Sequence, residues 1–325
     1  MEIIDPDREI VDPHHHLWTV DDPGGITGQY LLDELHADTG SGHNVVSTVF
    51  IECGSQYRTE GPDHLRVVGE TEFAASVASA SERASGATIA GIVAHCDLTL
   101  PPEQLDEVLD AHESAGGGRF RGIRDALSSA PPDVPLLIPG PAEPGRAANP
   151  DFRRGVARLG ERGLIYDTWH YHTQNRDFLD LAQAVPDTTM VLDHFGTPLG
   201  VGPYAGRHGE VFEQWKRDMT DIARCTNVVA KLGGLAMPDN GYGWHIDPSA
   251  RPDAEEVVSK HQRWYHHTIE CFGPARCMFE SNFPVDRFSV DHAVLFNAFK
   301  IMASRYSEDE QDAMFSGVAR RIYRL

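Results

Sequence analysis

The chain has 325 residues, of which 41% are hydrophobic and 24% charged, as is usual for a folded globular protein. Lys and Arg number 28 against 49 Asp and Glu, so the net charge is −21 at pH 7. A charge of this sign repels nucleic-acid phosphates and anionic membrane surfaces, which argues against both as partners. A small-molecule substrate is therefore the expected partner, and the sequence leaves a homo-oligomer open.

The first eleven residues carry four acidic side chains and no apolar run of the kind found in signal peptides or membrane spans, which predicts a cytoplasmic protein. The five cysteines are widely spaced and form no C-x-x-C pair. This spacing argues against a disulfide scaffold or a thiolate zinc site.

Eight short runs rich in β-branched residues predict strands at 10–11, 45–51, 88–93, 120–123, 164–166, 188–192, 228–232 and 277–279. Helical patterns separate or follow them at 30–36, 63–84, 102–114, 151–162, 176–184, 210–224, 254–271 and 290–304. Eight strand–helix repeats predict an α/β fold, a single (β/α)8 TIM barrel over residues 1–325. An open, doubly wound sheet is the alternative, but no G-x-G-x-x-G follows the early strands.

Three long connections rich in Pro or Gly, at 128–150, 196–209 and 233–253, each follow a predicted strand. In a barrel such loops rise over the mouth formed by the C-terminal strand ends. The last of them contains Tyr242, Trp244 and His245, which could close on a ring-shaped substrate. We therefore expect Trp244 and His245 to contact the substrate.

Ionisable or strongly hydrogen-bonding residues stand at all eight predicted strand ends, where a barrel brings them to one mouth. They are His14, His16, Glu52, His95, Asp97, Arg124, His170, His172, His194, Lys231, Glu280 and Asn282.

His14 and His16 form an H-x-H pair whose alternation aims both rings the same way, so that they could chelate one divalent cation. His15 should point away. A solvated run or a local hydrogen-bond cluster is the alternative interpretation. His194 ends a buried strand and is a further candidate, while alternation makes Asp193 a supporting or structural carboxylate.

His170 and His172 share one strand parity, and the sequence does not decide which of them enters the mouth. Arg124 suits the binding of a carboxylate or a lactone carbonyl, although a structural ion pair is an equal alternative. The same two alternatives apply to Lys231, which stands at the end of its own strand.

Six motifs, in this order along the chain, resemble the amidohydrolase-related proteins that include sugar-acid lactonases and 2-pyrone-4,6-dicarboxylate lactonase. They are V-D-P-H-H-H-L-W, R-G-I-R, Y-H-T-Q, V-L-D-H-F-G-T-P, K-L-G-G-L and M-F-E-S-N-F-P-V-D. The resemblance implies a metal or substrate site formed by His14, His16, one of His170 or His172, and His194. It also implies that strand eight supplies the residue that manages the nucleophilic water.

In many members of the family that last residue is an Asp in a G-S-D-x-P context, whereas this chain has Asn282. An amide can orient water but cannot accept a proton, so the family's usual general base is missing here. Glu280 is the best replacement carboxylate, with Glu52 and Asp286 in reserve. The resemblance implies either one divalent ion, such as zinc or manganese, or metal-independent action.

The leading hypothesis is hydrolysis of a small cyclic ester by activated water, with Arg124, Lys231 or a metal ion polarising the carbonyl. The first alternative is a metal-dependent, nonoxidative decarboxylase of an aromatic or unsaturated acid. The second is a non-catalytic binder of small molecules.

Overall fold

Eight parallel strands form the centre of the computed structural model, which describes residues 2–22 and 28–325. The strands are β1 Glu9–His15, β2 Asn44–Ile51, β3 Thr88–Ala94, β4 Phe120–Arg124, β5 Ile165–Thr168, β6 Met190–Leu192, β7 Val228–Leu232 and β8 Cys277–Phe279. Each pairs with the next along the chain, in the order β1 to β8.

The sheet closes on itself just beyond β8. The amide of His16 donates to the carbonyl of Phe283 at 2.8 Å, and the amide of Asn282 donates to the carbonyl of His14 at 3.1 Å. These bonds join the end of β1 to the segment after β8, so the predicted barrel is confirmed and the open sheet is excluded.

The helices are α1 Leu32–Thr39, α2 Val68–Ser81, α3 Pro102–Ala115, α4 Pro150–Glu161, α5 Asn175–Ala184, α6 His208–Ile222, α7 Ala254–Phe272, α8 His292–Ala303, α9 Glu308–Asp312 and α10 Val318–Tyr323. The first eight match the predicted helices within a few residues. A π-helix, Ala313–Gly317, joins α9 to α10. The sequence pattern did not predict these three C-terminal segments.

Strand residues alternate between two apolar layers. Phe50, for example, packs toward the surrounding helices, whereas its neighbours Val49 and Ile51 join the inner layer of the barrel. The inner layer is completed by α10, which contributes Ile322 and Tyr323. The C-terminal helix therefore plugs the end of the barrel opposite the mouth.

Within residues 2–22 and 28–325, none of the helices combines the length and apolar character that a membrane span requires.

Candidate active site

A cavity of about 740 Å³ opens at the C-terminal ends of the strands. Its floor contains ionisable side chains from the strand ends, namely His16, Glu52, His95, Arg124 and His194, together with Asn282. One wall comes from the loop after β4, which was predicted to rise over the mouth. The mouth therefore combines a polar floor with a wall built from a long loop, as expected for a small-molecule site.

The H-x-H segment reaches the site through an irregularity in β1. The register with β2 shifts between Asp12 and His15, and this shift turns His14 inward while the ring of His15 packs edge-on against Phe50. His15 therefore points away, as predicted. Nδ1 of His16 donates to the carbonyl of Ile51 at 2.8 Å, so Nε2 of His16 carries the lone pair and lies 3.2 Å from Nε2 of His14.

His194 enters the cavity because the backbone leaves the strand abruptly after β6. Its φ is +53° and that of Phe195 is +57°, a left-handed conformation that is uncommon for residues other than glycine. Nδ1 of His194 donates to Oε1 of Glu280 at 2.7 Å. The neutral ring therefore presents an unprotonated Nε2.

Glu280 supports two histidines from behind. Its Oε1 binds His194, and its Oε2 lies 2.8 Å from Nδ1 of His14. Glu280 is completely buried and does not line the cavity. Burial raises the pKa of Glu280 to about 8 and lowers the pKa of His194 to about 3. The histidine is consequently neutral at pH 7.

Lys231 lies beneath the histidines and not in the cavity itself. Its ammonium contacts Oδ2 of Asp167 at 2.7 Å, Oδ1 of Asp193 at 3.0 Å and Nδ1 of His14 at 3.0 Å. Burial disfavours the charge, but the carboxylates of Asp167, Asp193 and Glu280 outweigh it and raise the pKa of Lys231. Lys231 is completely buried and does not line the cavity, and its ion pairs match the structural alternative given for it.

Arg124 remains at the floor of the cavity, held by Glu52. Its Nε donates to Oε1 of Glu52 at 2.7 Å, and its Nη2 donates to the main-chain carbonyl of the same residue. Nη1 lies 3.4 Å from Nε2 of His14 and 3.6 Å from Asp193. Both predicted alternatives for Arg124 are thus combined, since the arginine is ion-paired and also faces the cavity.

Asn282 lines the cavity with its amide orientation fixed. Its Nδ2 donates to Oδ1 of the buried Asp286 at 2.9 Å, and its backbone has a φ of +56°. Asp286 also accepts a hydrogen bond from the amide of Ala236. Glu280 and Asp286 therefore both lie behind this amide. Of the three side chains, Asn282 alone faces the cavity.

His95, at the end of β3, was noted among the strand-end residues but was given no role. Its Nδ1 donates to the carbonyl of Arg124 at 3.1 Å, and its ring lines the cavity. Burial disfavours the imidazolium, but the carboxylates of Glu52 and Asp125 outweigh it and raise the pKa of His95. The cavity therefore holds two histidines whose surroundings shift their pKa values in opposite directions.

His170 and His172 do not join His14, His16 and His194. Nε2 of His170 donates to Asn175 at 3.1 Å, and Nδ1 of His172 accepts from the amide of Leu199 at 3.2 Å. Neither ring lines the cavity. Strand parity does not apply to these two residues, because β5 ends at Thr168 and a 3-10 turn, His172–Gln174, follows shortly after it.

Trp244 and His245 also lie outside the cavity. The Trp244 indole donates to Glu256 at 3.0 Å and stacks on Tyr242, lining a separate surface depression beside α7. His245 is half-buried and stands among the residues lining neither cavity. Their loop instead reaches the cavity through Met237.

The loop after β4 is held in place over the cavity. The two carboxylate oxygens of Asp239 accept the amides of Leu137 at 2.7 Å and Ile138 at 3.0 Å. The hydroxyl of Tyr171 accepts from the amide of Gly140 at 2.6 Å and donates to the carbonyl of Ile138 at 3.0 Å. These bonds tie the loop to the segments that follow β5 and β7.

Among residues 2–22 and 28–325, one group of side chains offers donors for a metal ion: His14, His194 and Glu280, whose ligand atoms lie within 4.8 Å of one another. All three are buried. The shortest contacts within this group are the bonds that join Glu280 to the Nδ1 atoms of the two histidines.

The sequence and the fold are similar to those of known proteins. The sequence profile described as amidohydrolase matches residues 11–325. The uncharacterized protein y4mH of Sinorhizobium fredii is 30% identical over 98% of this chain and 99% of its own length. The L-fucono-1,5-lactonase of Burkholderia multivorans is 26% identical over 97% of this chain and 96% of its own. A B. multivorans amidohydrolase crystallised with bound zinc shares the fold, with a TM-score of 0.75, 24% identity and coverage of 97% and 99%.

Proposed function

The chain belongs to the amidohydrolase family, as its motifs predicted, and from this premise we propose that it hydrolyses a small cyclic ester without a tightly bound metal ion. The observation that carries the proposal is the pairing of His194 with Glu280 at 2.7 Å, beside the guanidinium of Arg124, at the floor of the cavity. The lactonase of B. multivorans is one relative whose named activity is of this kind.

His194 serves as the general base. Its neutral Nε2 removes a proton from water while the water oxygen attacks the lactone carbonyl. Glu280 fixes the tautomer of His194 and holds its ring in place through the bond to Nδ1. Glu280 thus acts through His194, which replaces the earlier expectation that this carboxylate activates water directly. The amide of Asn282, oriented by Asp286, positions the water.

Arg124 stabilises the oxyanion of the tetrahedral intermediate. Two of its nitrogens are bonded to Glu52, which fixes the plane of the guanidinium at the floor of the cavity, beside the place where the reacting carbonyl would lie. Because this charge is fixed in a largely buried position, little reorganisation is needed as negative charge develops.

His95 serves as the general acid. When the ring C–O bond breaks, the leaving alkoxide takes a proton from Nε2 of the His95 imidazolium, and the product is a hydroxy acid. The raised pKa of His95 favours the protonated form that this role requires.

The histidine cluster fits a divalent cation poorly, because each nitrogen of His14 already faces a fixed positive charge. Lys231 lies 3.0 Å from Nδ1, and Arg124 lies 3.4 Å from Nε2. A divalent ion at either nitrogen would be repelled at short range by a group that does not lose its charge at neutral pH. Asn282, the residue after β8 that faces the cavity, is neutral and does not offset this repulsion.

The first prediction follows from that charge arrangement. Protein that has been treated with a chelator and dialysed is expected to hydrolyse a lactone with kcat/KM within about twofold of the untreated protein. The measurement is acid release from a panel of γ- and δ-lactones, with elemental analysis of both samples. Activity that is lost on chelation and restored by zinc or manganese would contradict the metal-free mechanism, and failure to hydrolyse any lactone would overturn the proposed function.

The second prediction concerns His95. His95→Gln is expected to lower kcat by about 10²-fold for an aliphatic lactone but by less than about tenfold for dihydrocoumarin, whose phenol leaves with little protonation. The acid form of His95 is present below its raised pKa and is lost as pH rises through it. The alkaline fall in kcat/KM for the aliphatic lactone should therefore disappear in the variant. Equal losses for both lactones, with an unchanged pH profile, would remove His95 from the acid role.

A further inference from the structure

The cavity has one polar side and one apolar side. Its apolar wall is formed by Leu137, Ile138, Pro139 and Pro141 of the loop after β4, and Trp169 and Phe288 also line the cavity. Leu137 is 48% exposed and lines the cavity, so its side chain is accessible to a ligand. Such a wall stabilises a ligand that brings apolar surface of its own.

The carboxylates that line the cavity are already paired with arginines. Glu52 is paired with Arg124, and Asp97 and Asp125 are both paired with Arg146. A polyhydroxylated lactone must give up water at each hydroxyl, and a site whose carboxylates are committed to arginines offers little in exchange.

The apolar wall is preformed. Asp239 and Tyr171 hold the backbone of the loop at residues 137, 138 and 140, so the wall does not have to become ordered when a ligand binds. The cavity volume of about 740 Å³ lies in the range of ~300–1,000 Å³ typical of sites for drug-sized ligands. It leaves room for a substituent beside a six-membered lactone ring.

Because the lining carboxylates are paired with arginines and the apolar wall is preformed, we infer that the substrate is a lactone bearing an apolar alkyl or aryl substituent. This substituent packs against Leu137 and its neighbours. This inference rests on the proposed function and specifies its substrate class. It distinguishes the chain from a sugar-lactone hydrolase, although the fold and the family are shared.

The test compares three six-membered lactones: unsubstituted δ-valerolactone, δ-nonalactone with a butyl group, and polyhydroxylated L-fucono-1,5-lactone. We expect kcat/KM for δ-nonalactone to exceed the other two by about tenfold or more, since several methylene groups leave water on binding. Preference for the sugar lactone, or equal rates for all three, would overturn the inference while leaving lactone hydrolysis intact. The absence of turnover with any lactone would instead overturn the proposed function.

A pair of variants tests whether the apolar substituent binds at this wall. Leu137→Ser keeps the backbone amide that Asp239 binds but removes the apolar side chain, and it should lower the preference for δ-nonalactone over δ-valerolactone by about threefold to tenfold. Ile246→Ser is the matched control, because Ile246 is 76% exposed and lines neither cavity. If both variants keep the full preference, the substituent does not bind at this wall and the inference fails.

Discussion

Replacement of His194 with glutamine is expected to lower kcat by about 10³-fold, with a change in KM of less than about fivefold. Glutamine can still bond to Glu280 and fill most of the volume, but it cannot accept a proton from water. The loss should therefore fall on the chemical step and not on binding. Steady-state kinetics with an aliphatic lactone measure the split between the two parameters.

Two companion variants separate the base from its support. Glu280→Gln should lower kcat less than His194→Gln does. It should leave KM unchanged, because Glu280 acts only through the imidazole. His64→Gln, at a surface pair with Glu107, controls for the loss of a histidine elsewhere. If the His194→Gln protein keeps more than a tenth of the wild-type kcat, another residue acts as the base.

Replacement of Lys231 with methionine is expected to reduce the free energy of unfolding by about 3–5 kcal/mol. Methionine has a similar volume, so the main effect is electrostatic: Asp167 and Asp193 lose the cation that lies within 3.0 Å of each. Both carboxylates are completely buried and cannot be hydrated instead. Urea unfolding followed by tryptophan fluorescence measures the difference.

The combined variant Lys231→Met with Asp167→Asn tests the electrostatic explanation, since removal of one uncompensated charge should restore part of the lost stability. Lys216→Met, on the exposed side of α6, should change the stability by less than about 0.5 kcal/mol. If the double variant is no more stable than Lys231→Met alone, packing and not charge governs the effect.

The barrel itself was predictable because its signals are local. Strands such as β2 and β7 are β-branched runs bounded by loops, and their strict alternation with helices admits few topologies. The polar residues at the strand ends followed from the same reasoning. The mouth of the barrel and the presence of histidines in it could therefore be anticipated without a structure.

The roles of individual residues were less predictable, because they depend on departures from regular geometry. Alternation cannot foresee the shift in β1 that turns His14 inward, nor the left-handed backbone that carries His194 into the cavity. Alternation also does not reveal how deep a side chain lies in the barrel. Lys231 and Glu280 have the inward parity but lie below the cavity. The apolar wall depends on Asp239, which stands about one hundred residues from the loop it holds.

The position of α10 has a consequence for synthesis. The hydroxyl of Tyr323 donates to Asp167 at 2.8 Å, so α10 completes the inner polar network from 156 residues further along the chain. On its open side, β1 pairs only with the segment that follows β8. The inner apolar layer of the strands therefore stays uncovered during synthesis until β8 and α10 have emerged, and uncovered apolar surface of this kind favours aggregation.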